Sequence, residues 1–272
     1  MSHEPAGVYL PTAEDNVYES TQAANAGWYE EGQHAGALAA LVVGHVDAVP
    51  SLVDMNIARM TFEVFRVVPI APLRIDTSVV REGKKIQVLE VKVTDPEGLE
   101  LVRAHIQRLR SKDVALPEGV GEARPFFPGP DILEPPTGKP WGHGPESKVM
   151  FHRSAIEARE IEGGFGSTGR GSLWMRVIRP IIAGREITPM QRLVVVADFC
   201  NGVSRLSLEP NFLFMNPDLT VNVTGTPSGE WVALSAESWY AADGRGVASG
   251  TLWDEDRFLG RSTQTLFLDR AI

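Results

Sequence analysis

The sequence of 272 residues contains a single cysteine, Cys200, and no long apolar run. One cysteine cannot form an intramolecular disulfide, which fits a reducing compartment, and it cannot supply a zinc cluster. No stretch approaches the ~20 uninterrupted apolar residues of a membrane span. The N-terminus lacks the basic region followed by an apolar one that marks a secretory signal. We therefore predict a cytoplasmic protein with no membrane span, no metal and no cofactor.

Basic residues are outnumbered by acidic ones. The chain has 26 Lys and Arg and 35 Asp and Glu, which gives a formal net charge of −9. This acidic balance argues against nucleic acid as a partner. A polyanionic ligand would be repelled unless it met a local basic patch. Lys84 with Lys85, or Arg170 with Arg176 and Arg179, offers such a patch.

Two apolar stretches are predicted to be buried helices. The first, residues 34–47, begins at His34 and has small residues on its early turns, which let another backbone or a ligand come close. The second, residues 188–201, opens with Thr188 as the N-cap and Gln191 as its partner in a capping box. This second stretch is apolar nearly all round, which indicates burial rather than an amphipathic surface helix.

The order of predicted elements repeats along the chain. Each apolar helix is followed by four strand-like runs with turn signals between them, and this order, occurring twice, predicts an internal duplication. Between the two halves, prolines crowd together, and proline is excluded from central strands and helix interiors. We predict one domain at residues 1–115, a Pro-rich linker at 116–147 and a second domain at 148–272.

Asp198 is the first candidate catalytic residue, since it lies in the second apolar helix. Asn201 follows three residues later and therefore lies on the same helix face. A carboxylate in an apolar helix must be hydrogen-bonded or raise its pKa, because an unpaired buried charge is costly. Such a group suits a general base. The alternative is an Asp near a helix end that emerges into solvent or ties down a loop.

The start of the first helix provides candidate ligand-binding residues, His34 and Gly36. Unpaired backbone N–H groups at a helix N-terminus favour negative charge, so the amides around Gly36 can hold a developing oxyanion. A polar residue such as His34 is also an ordinary choice at a helix start. Asn216 and Asp218 are further binding candidates, although an Asx-type turn explains the Asn-Pro-Asp step equally well.

Seven sequence blocks together indicate a family. They are residues 32–41, 61–69, 172–176, 197–202, 214–221, 229–234 and 260–264. On these blocks the chain resembles the acyl-CoA thioesterase II family, in particular a subgroup common in actinobacteria. The resemblance covers nearly the whole length.

The resemblance implies an α+β fold of the double hot-dog type, with two antiparallel sheets each wrapped around a long apolar helix. The two helices of such a fold lie side by side, and the small residues Gly36, Ala39 and Ala40 suit a close approach. We also expect a homodimer through an outer sheet face or edge.

The resemblance further implies hydrolysis of an acyl-CoA thioester to free acid and CoA. In this hypothesis Asp198 is the general base, Asn201 and Thr226 position the water, and the amides around Gly36 polarise the carbonyl. A second hypothesis is a non-hydrolytic protein that binds acyl-CoA or an acyl carrier through a degenerate site. A hydratase or dehydratase is weaker, because no Asp-x4-His run accompanies either helix.

Characterised members of this family use an Asp, a Ser or Thr and a Gln in the second half to orient a water. Spacing from the Asp-Gly turn at 243–244 implies Thr226 for the hydroxyl, Glu209 for the acid and Leu252 or Trp253 where the glutamine belongs. The glutamine is thus expected to be missing, which favours the binding hypothesis. Asp198, or Asn216 with Asp218, or a site assembled across the two halves, would then replace the family arrangement.

Overall fold

The computed structural model describes residues 5–27, 32–120, 123–135, 149–209 and 212–270. The strands of the first half are β1 (Tyr9–Pro11), β2 (Val17–Ser20), β3 (Met55–Val64), β4 (Pro72–Arg81), β5 (Ile86–Thr94) and β6 (Glu100–Arg110). Those of the second half are β7 (Ile156–Glu162), β8 (Gly171–Val177), β9 (Phe212–Met215), β10 (Asp218–Val223), β11 (Trp231–Tyr240), β12 (Arg245–Trp253) and β13 (Phe258–Arg270). Residues 121–122 and 136–147 of the predicted linker, and residue 148 after it, lie outside the described residues.

The helices are few and short. They are α1 (Ala35–Val46), α2 (Phe151–Ser154), α3 (Pro189–Ala197) and α4 (Cys200–Val203), with 3-10 turns at Gln22–Ala24 and Pro130–Ile132. Among the residues that the structure describes, none of these helices has the length and apolar character needed to cross a membrane.

The strands form one large antiparallel sheet, in the order β1-β2-β4-β5-β6-β3-β10-β13-β12-β11-β8-β7, with β9 paired to β13. From the centre outward, β3-β6-β5-β4 repeats as β10-β13-β12-β11, which is the order that an internal duplication produces. The halves meet where β3 pairs with β10, with Thr61 opposite Thr220. This pairing joins the sheets of the two halves into one. The expectation that each half wraps its sheet around a long helix is not confirmed, because α1 and α3 have only 12 and 9 residues. The predicted domain bounds and the homodimer stay predictions.

The second predicted helix, 188–201, is interrupted in the structure. Its capping box is confirmed, because Gln191 N donates to Thr188 Oγ1 (3.3 Å) and Thr188 N donates to Gln191 Oε1 (2.9 Å). The first segment, α3, ends at Ala197, and Asp198 is its C-cap. Ser262 Oγ donates to the Ala197 carbonyl (2.8 Å) and Gln264 Nε2 donates to the Asp198 carbonyl (2.8 Å). Side chains of β13 therefore satisfy the carbonyls at this helix end.

We expect Thr188→Ala to lower the free energy of unfolding by about 1 kcal/mol, because the side-chain oxygen of the N-cap is lost. Thermal or denaturant unfolding measures this change. Thr188→Ser keeps the hydroxyl and should retain most of the stability. An alanine variant as stable as the parent would contradict a stabilising role for the capping box.

The helices α1 and α3 lie against each other and run in opposite directions. A Cβ built on Gly36 would lie 3.0 Å from Asp198 Cβ, and a Cβ on Gly44 would lie 2.3 Å from Gln191 Nε2. Gln191 Nε2 also donates to the Ala40 carbonyl (3.0 Å). The predicted close approach of the first helix is therefore confirmed at Gly36 and Ala40, and Gly44 takes part as well. Its consequence is that the start of α1 meets the end of α3.

Candidate functional site

Asp198 is buried at the end of α3, and both of its carboxylate oxygens have polar neighbours. Oδ1 accepts hydrogen bonds from Asn216 Nδ2 (3.0 Å) and from Gln264 Nε2 (3.0 Å). Oδ2 lies 3.1 Å from His34 Nδ1. Asp198 is therefore a buried, hydrogen-bonded carboxylate that does not emerge into solvent, and through Asn216 it also holds the segment between β9 and β10.

Gln264 and Asn201 extend this polar cluster. The Asn201 backbone N–H donates to Gln264 Oε1 (3.1 Å), so both ends of the glutamine amide are hydrogen-bonded. The Asn201 side chain donates to the Phe214 carbonyl (3.0 Å), and its Nδ2 lies 3.4 Å from Asn216 Oδ1. The amides thus hold one another and orient the carboxylate at the same time.

His34 brings the first half of the chain into the cluster. It is the N-cap of α1, and its Nδ1 accepts a hydrogen bond from Gly36 N (3.1 Å). Its ring packs against Phe151 and Phe199, at centroid separations of 5.1 and 4.8 Å. The site is therefore assembled across the two halves, which is one of the arrangements that the sequence left open.

A cavity of about 320 Å³ opens onto this cluster. Its polar lining includes Gln33, His34, Asp198, Asn201 and Asn216. Its apolar lining includes Leu38, Val64, Val68, Met215 and Phe267. A mostly apolar cavity with a few convergent polar groups is the usual form of a small-molecule site.

Two predicted site residues, Thr226 and Glu209, lie away from this cluster. Thr226 is exposed, and its carbonyl accepts a hydrogen bond from Arg257 Nη2 (3.2 Å). Glu209 is exposed and forms an ion pair with Arg270 (3.0 Å). Asp198 meets the chain at Asn216, before β10, whereas Thr226 follows the far end of that strand. At about 3.3 Å per residue, the six residues of β10 separate the two ends by roughly 20 Å.

Of the remaining binding candidates, Asn216 and Gly36 lie at the cluster, whereas Asp218 does not line the cavity. Asn216 lines the cavity and bonds Asp198, as described above, and Gly36 packs directly against the same carboxylate. The Asp218 carboxylate instead accepts a hydrogen bond from Thr265 Oγ1 (2.9 Å) and does not line this cavity. The Gly36 amide is engaged by His34.

The expectation that a glutamine is missing is also corrected. Leu252 and Trp253, where it was sought, are buried residues at the end of β12, whereas Gln264 on β13 reaches Asp198. The sequence signal is the period of two along a strand, which puts Ser262 and Gln264 on the same face as Leu266. The structure shows this face buried and the intervening residues exposed. A polar residue at a buried position of a strand requires a partner.

Cys200 is not suited to act as a nucleophile. It is buried, and burial raises the pKa of its thiol to about 12. The thiol therefore stays protonated near neutral pH, when only the thiolate is a good nucleophile. Within the described ranges, no three His, Cys, Asp or Glu side chains lie together as a metal site.

Solved structures of other proteins share this architecture. A proposed thioesterase from Novosphingobium aromaticivorans is 21% identical, with a TM-score of 0.71 and coverage of 96% of this chain and 98% of that one. A hot-dog protein of unknown function from Alicyclobacillus acidocaldarius is 15% identical, with a TM-score of 0.70 and 96% coverage of both chains. An acyl-CoA thioesterase II from Mycobacterium marinum is 13% identical, with a TM-score of 0.64 and coverage of 96% and 94%. At these identities the likeness shows the hot-dog fold.

Family comparisons cover most of the sequence. No curated protein sequence matches the chain. Residues 25–109 match the acyl-CoA thioesterase N-terminal domain, and residues 130–268 match the acyl-CoA thioesterase C-terminal domain. Since the two matches follow each other in the order of the two halves, the chain belongs to the acyl-CoA thioesterase family.

Proposed function

We propose that this protein hydrolyses an acyl-CoA thioester, with Asp198 as the general base. The observation that carries the proposal is the buried, oriented Asp198 carboxylate at the wall of an apolar cavity. Because Oδ1 already accepts two amide hydrogen bonds, Oδ2 is the oxygen that takes the proton from the attacking water. Fixing one oxygen and using the other is a suitable arrangement for general-base catalysis.

The start of α1 supplies polarisation of the thioester carbonyl. Because the Gly36 amide donates to His34, this role falls to Ala35, which lines the cavity in the first turn of the helix. First-turn amides lack intrahelical partners and carry the positive end of the helix dipole. An N–H placed there stabilises the negative charge that develops on the carbonyl oxygen.

The cavity suits an acyl chain, and its rim suits an anion. The apolar lining residues would surround the chain, and Arg66 is an exposed cation beside the same cavity. Of the basic residues expected to bind the anion, Arg170 and Arg176 form ion pairs with Glu237 and Glu157. Neither Arg179 nor the pair Lys84 and Lys85 lines the cavity. Arg66 is therefore the cation that we assign to a phosphate of CoA.

Hydrolysis is favoured over the non-hydrolytic binding hypothesis by Gln264. The expected absence of a glutamine favoured that alternative, whereas Gln264 donates to Asp198 Oδ1 at 3.0 Å. Together, Asp198, Gln264 and Asn216 supply a carboxylate and two amides, with Asn216 in place of a hydroxyl residue.

A panel of acyl-CoAs of increasing chain length tests the proposal, with release of free thiol as the readout. We expect thiol release that saturates with substrate concentration and depends on chain length. Binding of acyl-CoA without thiol release would instead support the non-hydrolytic protein. Neither binding nor release across the panel would contradict both.

We expect Thr226→Ala and Glu209→Gln to leave hydrolysis within a few-fold of the parent, because both residues lie on the surface away from Asp198. The measurement is kcat/KM on the best acyl-CoA of the panel. A large loss in either variant would show that the site extends beyond the cavity.

A further inference from the structure

We propose that His34 donates a proton to the departing thiolate and takes its replacement from Asp198. This proposal rests on the proposed hydrolysis and adds a second catalytic residue to it. His34 belongs to the first half of the chain and Asp198 to the second, so the proton path crosses the junction between the halves. The contacts of the two side chains support each step.

The first step concerns where the proton from water is held. Asp198 Oδ1 accepts hydrogen bonds from Asn216 and Gln264, whereas Oδ2 has His34 Nδ1 at 3.1 Å. A proton accepted by Asp198 therefore resides on Oδ2, within hydrogen-bond distance of the imidazole. Because Nδ1 has a single lone pair, the Oδ2–H of the protonated carboxyl replaces the Gly36 N–H as its donor, and the proton can move along this O–H···N hydrogen bond.

The second step concerns the tautomer of His34. Its Nδ1 accepts the Gly36 N–H at 3.1 Å, and a ring nitrogen that accepts carries no proton. In the neutral ring the proton is therefore on Nε2. The imidazole thus begins the reaction with a donor on one side and an acceptor facing Asp198 on the other.

The third step concerns access to the cavity. The Asp198 side chain is only 2% exposed, whereas the His34 side chain is 14% exposed, and both line the cavity. Phe151 and Phe199 pack against the imidazole and restrict its movement. His152 lies farther away, with its ring centroid 6.5 Å from that of His34. The histidine is therefore the more accessible of the two groups and is held in place.

The proton and electron balance is complete with water and thioester alone. Water loses one proton to Asp198 Oδ2 as its oxygen bonds to the carbonyl carbon. The C–S bond then breaks, its electron pair goes to sulfur, and His34 Nε2–H protonates that sulfur. Nδ1 takes the proton from Asp198 Oδ2, which leaves the ring neutral and the carboxylate restored. Exchange with solvent returns the ring to its starting tautomer.

The alternative role for His34 is structural, as the N-cap of α1. The variant His34→Asn separates the two roles, because Asn is a strong N-cap but cannot relay a proton. His34→Ala removes both functions. We expect the melting temperature of His34→Asn to lie near that of the parent and above that of His34→Ala.

The decisive measurement compares two leaving groups on one acyl chain, CoA and an aromatic thiol. An aromatic thiolate departs readily without protonation, whereas an alkyl thiolate gains from a proton donor. In His34→Asn we expect kcat/KM for the CoA thioester to fall about tenfold more than kcat/KM for the aryl thioester.

Equal losses on the two substrates, or no loss on either, would overturn the role of His34 while leaving the proposed hydrolysis in place. A parent protein that hydrolyses neither thioester would overturn the proposed function, and the proton relay with it. A selective loss on the CoA thioester supports both.

Discussion

Asp198→Asn is expected to lower kcat for thioester hydrolysis by roughly 10²- to 10⁴-fold, with the fold intact. The substitution removes the proton acceptor but keeps the size of the side chain. The Asn oxygen can accept from the amides of Asn216 and Gln264, and the new NH2 group can take the place of the Gly36 N–H as the donor to His34 Nδ1. The hydrogen bonds around position 198 therefore remain satisfied, and the loss reports on the base.

Steady-state kinetics measures the loss of turnover, and thermal unfolding tests whether the fold stays intact. Asp218→Asn is a matched control, because it makes the same change in a carboxylate that bonds Thr265 and does not line the cavity. We expect turnover of the control within a few-fold of the parent. If Asp198→Asn keeps normal turnover and melts at lower temperature, Asp198 is a structural carboxylate and the proposed base is wrong.

The sequence predicts correctly those features that are determined by residues close together in the chain. The apolar stretch beginning at His34 became α1, and Thr188 with Gln191 formed the predicted capping box. The break after Ala197 could not be predicted in this way. It depends on Ser262 and Gln264, more than sixty residues later, which satisfy the carbonyls at the helix end. Long-range hydrogen bonds of this kind leave no periodic pattern near the break.

The same distinction between local and long-range interactions explains which site residues the sequence predicts correctly. Asp198 was identified by a local argument, a carboxylate within an apolar helix, and the structure shows it buried and hydrogen-bonded. Thr226 and Glu209 were placed by counting along the chain from a turn, which does not determine distance in space. The contact between His34 and Asp198 depends on the antiparallel packing of two helices from different halves.

Gln264→Met is expected to lower the free energy of unfolding by about 2–4 kcal/mol and hydrolysis by roughly 10²-fold. Methionine has a similar length but no amide. The Asn201 N–H then loses its acceptor, and the Asp198 carbonyl and Oδ1 each lose a donor. Buried polar groups left without partners account for the stability loss, and a less oriented carboxylate accounts for the activity loss.

Gln87→Met separates these two effects, because Gln87 is an equally buried glutamine in the first half, away from the cavity. Its amide donates to the Pro50 carbonyl (2.9 Å) and accepts from Arg108 (3.2 Å), so its replacement also removes the side-chain hydrogen bonds of a buried amide. We expect both variants to be destabilised, but only Gln264→Met to lose turnover under conditions where the protein is fully folded. Equal turnover in the two variants would mean that Gln264 closes the helix end without orienting Asp198 for catalysis.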